Sequence, residues 1–237
     1  MIWRKSWWEC RARVFWAAFA YVAVSCMALV FFSNPPTAKN ALATWNLFSI
    51  LLACFVTPII TVLLAGSGIN SQTAWGMFQG FHASMYFLLS MPVSRRRALL
   101  VRSALGAIFT VLFVLLSIGT VALGVRLLGA GVPIARVFGS IPFMLIDAFG
   151  FYGLSTFLCI LLDEFWAGML GMGITGLLFG MEVGFWVLPI HFKPAQILSG
   201  ELFLSTGVVG WPVIVFFLLM GVSFLAASVY LVERREY

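Results

Sequence analysis

The sequence predicts an all-α polytopic membrane protein, a single transmembrane domain covering residues 1–237, and three observations predict it. Hydrophobic residues make up 62% of the chain and charged residues 9%, whereas an ordinary soluble domain is about 25% charged. The mean hydropathy is +1.07, and several apolar runs reach the roughly 20 residues that a helix needs to cross hydrocarbon. The basic residues that give the net charge of +6 cluster beside those runs, which points to an anionic leaflet as their partner rather than nucleic acid. The short alternating segments of a β-barrel are absent.

Six spans are expected, at about Val14–Phe32, Leu47–Ala65, Ala98–Val125, Val137–Leu162, Phe165–Leu188 and Trp211–Val232. The first follows Trp3, Trp7 and Trp8, set among basic residues, which read as an interfacial helix feeding the span. Its "AVSC" is reminiscent of a cleavage site, but the apolar run continues through Phe32, too long for a signal peptide. "SNPPTAKN" and "GSGINSQ" are turn-rich breaks on either side of span two. After them, Phe78, Phe81, Met85 and Leu88 recur at helical spacing, with Gln79, His82 and Tyr86 together on another side. That pattern is an amphipathic helix over about 73–91, lying along the membrane surface and ended by Pro92. After span five, Pro189 breaks the helix, and the stretch up to Trp211 has the length of a short re-entrant or interfacial element.

The arginines set the topology. With both termini cytoplasmic and one crossing per span, Arg4, Lys5, Arg11, Arg13, Arg95, Arg96, Arg97, Arg102, Arg234 and Arg235 fall inside, against Lys39, Arg126, Arg136 and Lys193 outside. This satisfies the positive-inside rule. Counting 73–91 as a seventh span would invert everything after it. Behind an N-cap at Ser94, the triplet Arg95, Arg96 and Arg97 opposes the helix dipole by about 0.3–1 kcal/mol per residue. Attraction to an anionic leaflet, about 1 kcal/mol per basic residue, offsets that, so the triplet with Arg102 is read as a topology anchor.

Few side chains suggest chemistry. Asp147 and Glu182 are acids inside spans, where each either pairs with Arg126 or Arg136 or lines a substrate path. Gly176, Gly180 and Gly184 form a doubled G-x-x-x-G stripe suited to close helix packing, within the subunit or against a second copy. Asp163 and Glu164 make a short acidic turn. Cys10, Cys26, Cys54 and Cys159 lack metal or redox spacing and read as packing residues. His82 and His191 are isolated, and no metal site is expected. The sequence has neither a G-x-x-x-x-G-K-[ST] loop nor a G-x-S-x-G elbow, so the chain is expected to be no enzyme and to bind no cofactor.

Two stretches carry a family resemblance. "FLLSMPVSRRRALLVRS", residues 87–103, resembles the signature of ABC-2 type transporter permeases, and "WRKSWWECRARVFWAAF", residues 3–19, is similar to that family's opening. The resemblance implies a permease subunit of an ATP-binding cassette exporter in the bacterial inner membrane. It implies two cytoplasmic ATPase subunits, which supply the ATP and Mg chemistry, and a second permease subunit, in a homo- or heterodimer. The surface helix before Pro92 becomes a coupling helix, with an ATPase-facing surface of Gln79, His82, Ser84 and Tyr86 joined by Asp163 and Glu164. Where the family carries a charged Glu-Arg-Gly-Thr-like run at the head of this helix, this chain reads "SQTAWGMFQG". The alternative is a stand-alone secondary carrier or channel using Asp147 and Glu182; a membrane enzyme or a silent anchor for other proteins is the third class.

Overall fold

A computed structural model describes residues 2–33, 45–46, 48–65, 95–128, 132–162, 166–171, 173–174, 176–177 and 193–234. Among these, all regular structure is helical: α1 (Ile2–Ser33), a π-helical turn (Leu52–Val56) running into α2 (Thr57–Ala65), α3 (Arg95–Leu127), α4 (Ile134–Gly139), α5 (Ile141–Leu161), α6 (Pro194–Leu198), α7 (Glu201–Thr206) and α8 (Trp211–Arg234). Among the described residues, three stretches are long and apolar enough to cross a membrane: Leu99–Leu127, Ile134–Leu161 and Trp211–Arg234. Val14–Met27 is a shorter apolar stretch. The protein is therefore an integral membrane protein of the all-helical class.

Helices α1 and α3 each bury one stripe and leave the other apolar face open. In α1, Val14, Ala17, Tyr21 and Ser25 are buried at helical spacing, while Phe15, Trp16, Phe19 and Val22 are exposed. In α3 the buried stripe includes Thr110, Val114, Ser117 and Val121, and Ile108, Leu112, Leu115 and Leu123 point outward. Hydrocarbon is as apolar as these outer faces, so what selects the inner stripe is close packing and hydrogen bonding between helices. Accordingly the Ser25 and Ser117 hydroxyls meet at 2.8 Å between α1 and α3, and Thr61 meets Ser155 at 3.2 Å between α2 and α5.

Helix α5 is the axis of the bundle. The span containing it is 67% buried, against 22% for α8, and α5 packs on α2, α3 and α8. The α5–α8 contact brings backbone close to backbone. A Cβ placed on Gly153 would lie 2.5 Å from the Gly221 carbonyl oxygen, and one on Gly150 would lie 3.0 Å from the Phe217 oxygen. The two helices run parallel, with Phe151 on Phe217 and Phe157 on Phe224. Helix α3 runs the other way, since the Tyr152 hydroxyl donates to the Ser103 carbonyl at 2.8 Å near its start.

The fourth predicted span is divided into two helices. Ser140 separates α4 from α5, and Pro142 stands in the first turn of α5; proline has no N–H to donate, and its ring displaces the carbonyl four residues back. The N-terminal stretch also differs from expectation: the basic, tryptophan-rich start and the first span form one unbroken helix of 32 residues, because no glycine or proline interrupts residues 2–33. The stretch before α8 folds into α6 and α7, which turn at Gly200 and Gly207, at φ +76° and +71°. Only glycine adopts that backbone without strain. Ile197 and Leu202 pack with Phe143 and Ile214, so α6 and α7 close one end of the bundle.

The opposite end gathers charge. Leu99, Ile160 and Val232 form one cluster there, which brings the start of α3 beside the ends of α5 and α8. Arg96 and Arg97 are exposed at that end, and Arg96 lies 3.8 Å from Glu233. Arg234 stacks on Tyr230 at 4.5 Å.

Candidate functional site

The described residues hold two buried polar centres, one inside the bundle and one at the α6–α7 end. The inner centre is Asp147, in the second turn of α5. It is fully buried, and neither carboxylate oxygen has a hydrogen-bond partner. Tyr21, Leu52, Met144 and Ala148 belong to one buried apolar cluster, each no more than 1% exposed. The Tyr21 hydroxyl faces Thr57 and Asp147 from α1 and also lacks a completed hydrogen bond.

Thr57 begins α2 directly after the π turn. Its N–H and its Oγ1, the latter at 3.0 Å, both reach the Leu52 carbonyl. A π turn inserts an extra residue into the helical ladder and is found mostly at functional sites. The run "LLACFVTP" continues into Pro58, which cannot donate an N–H. The inner centre thus joins three elements: α1, the π turn with α2, and α5.

At the outer centre, Arg136 of α4 donates to Glu201 Oε1 of α7 at 2.6 Å, with side chains 16% and 11% exposed. Asn46 faces the same carboxylate. Burial pushes the Glu201 carboxyl up from its ordinary value, opposed by the Arg136 guanidinium and the Asn46 amide. This ion pair ties the short helices to the divided span.

The pairing expected for Asp147 is corrected here. Arg136 is occupied by Glu201, and Arg126 is exposed at the end of α3, so Asp147 is paired with neither. A basic side chain at the helix end does not reach an acid two turns down the core. Glu182 lies outside the described residues, as do Gln79, His82, Ser84, Tyr86, Asp163, Glu164, Gly180 and Gly184. Arg95 is the first residue of α3, and Arg102 is buried one to two turns further on. At Gly176 a Cβ would meet nothing within 4 Å, whereas the close crossing is made by Gly150, Gly153 and Gly221. Of the cysteines, Cys159 is buried and Cys26 exposed.

Sequence reasoning missed Tyr21, Thr57, Asn46 and Glu201. The only signal for the first two was a hydroxyl inside an apolar run, which many membrane helices show. Glu201 carried a clearer one: an acid directly after a glycine in a segment otherwise apolar.

Fold and polar centres together define an all-helical integral membrane protein with a buried acid at its core. No family model matches the chain, and no curated protein matches it.

Proposed function

We propose that the chain is the permease subunit of an ATP-driven exporter of the ABC-2 type. In this reading it crosses the membrane six times with both termini cytoplasmic. It pairs with a second permease subunit and takes its power from two copies of a separate cytoplasmic ATPase. The observation that carries the reading is the Met-Pro-Val-Ser-Arg-Arg-Arg junction, Met91–Arg97, running into α3. Its support from geometry is the gathering of the arginine-rich start of α3 with the end of α8 at one end of the bundle. A force delivered at that end reaches α5 directly through Leu99 and Ile160, and α5 packs on α2, α3 and α8.

Mild solubilisation and affinity capture from the native membrane tests this. The expected result is a co-purifying nucleotide-hydrolysing polypeptide in equal amount, with transport that stops when ATP is withheld. Transport by the chain alone, driven by an ion gradient, overturns it. That outcome is the second reading, a secondary carrier, and one observation favours it: an acid in the bundle core without a partner is a common mark of ion-coupled pathways.

A further inference from the structure

Asp147 and Tyr21 hold buried oxygens that no hydrogen bond satisfies, and the Thr57 hydroxyl, which donates to the Leu52 carbonyl, keeps its oxygen as an acceptor. Each presents oxygen: two carboxylate oxygens and two hydroxyls, from α5, α1 and the head of α2. No guanidinium or ammonium of a described residue neutralises the carboxylate. An ionised carboxylate removed from water and left unpaired is among the most unfavourable arrangements a protein interior can hold. We propose that this cluster is a binding site for one small monovalent cation, a proton or a sodium-sized ion, held by Asp147 with the hydroxyls of Tyr21 and Thr57.

The ligand class follows from the site. All-oxygen ligands suit hard cations rather than zinc or copper, and no group of three His, Cys, Asp or Glu side chains gathers among the described residues. One carboxylate supplies one negative charge, which balances a monovalent ion. Tyr21, Leu52, Met144 and Ala148 all belong to one buried apolar core. The titratable group facing Asp147 from α1 is Tyr21. The charged residues of α3 are Arg95, Arg96 and Arg97 in its first turn, Arg102 buried two turns in and Arg126 exposed at its far end, those of α8 are Glu233 and Arg234 in its last turn, and from α2 the facing group is the hydroxyl of Thr57.

The π turn gives the site a means of opening. Thr57 holds the Leu52 carbonyl through both its N–H and its hydroxyl, so a cation that recruits the hydroxyl oxygen acts on the place where the helix departs from α-geometry. Ion sites at irregular turns near the middle of membrane helices are built in this way. The site serves an ATP-driven or an ion-driven transporter alike, so its failure would leave the ATPase reading untouched.

The test uses the full chain in liposomes with a lipid-soluble carbodiimide, which modifies protonated carboxyls, and mass spectrometry at Asp147. One arm raises the pH in choline buffer; the other adds sodium at constant pH and ionic strength. A loss of modification of at least about tenfold in the first arm alone assigns a proton, and a similar loss in the second assigns the ion. Asp147→Asn is expected to abolish whichever dependence the unfolding midpoint of the unaltered chain shows, and Tyr21→Phe to shift the protecting concentration. Absent modification, modification indifferent to both arms, or a dependence that survives in Asp147→Asn overturns the proposal.

Discussion

Glu201 and Arg136 show how a single pair can organise a short segment that has little else to hold it. Helices of five and six residues are too short to be stable alone, and α6 and α7 depend on their apolar side chains and on this pair. Glu201→Ala leaves a guanidinium buried without its partner and is expected to cost about 3 kcal/mol, read as a lower unfolding midpoint. Glu201→Gln retains an acceptor and is expected to cost less. Because burial raises the Glu201 carboxyl above its unfolded value, between the two values the folded chain holds a proton that the unfolded chain has released. The contribution of this group is therefore complete below the ordinary carboxylate range and declines as pH rises through the raised value. Glu201→Gln should remove that slope; a midpoint whose pH dependence is the same in the variant contradicts the assignment. Asp147 was legible in the sequence as an acid within an apolar run. Its neighbours were not, since Tyr21 and Thr57 come to it from distant parts of the chain through packing that no local pattern encodes.

Among elements, the contact between α5 and α8 depends on the absence of side chains at Gly150, Gly153 and Gly221. Gly153→Val is expected to force the helices apart and cost about 1–3 kcal/mol, as overpacking does, whereas Gly176→Val, open on the described side, should cost far less. Equal losses in the two variants, compared by thermal unfolding in detergent, would contradict this crossing. The Gly176, Gly180 and Gly184 stripe is conspicuous because its members recur at four-residue intervals in the sequence, while the crossing uses glycines from two helices that show no shared spacing. The bounds of α3 and α8 were legible to within a few residues, as at Trp211, because long apolar runs mark them. The division at Ser140 and the π turn were not, since Pro142 and Pro58 are compatible with an unbroken span as well as an interrupted one. The joining of the N-terminal surface stretch to the first span was missed because tryptophan and arginine suit an interface and a continuous helix equally.

For the molecule as a whole, α5 sits at the centre, one end is closed by α6 and α7, and the other gathers the arginines of α3 and the tail of α8. The membrane class was legible from composition alone, and the sharing of one end by Arg96 and Glu233 agrees with the sequence expectation that the arginine triplet and the C-terminal tail face the same side. Which side that is decides the proposed function, because an ATPase can act only on a cytoplasmic face. The decisive measurement is labelling of single cysteines at Arg96, Arg234 and Lys193 in intact cells with a membrane-impermeant thiol reagent, in a chain otherwise free of cysteine. The account predicts that the cysteine at position 193 reacts from outside while those at 96 and 234 react only after the cells are opened. Reaction of the position 96 or 234 cysteine in intact cells would contradict it.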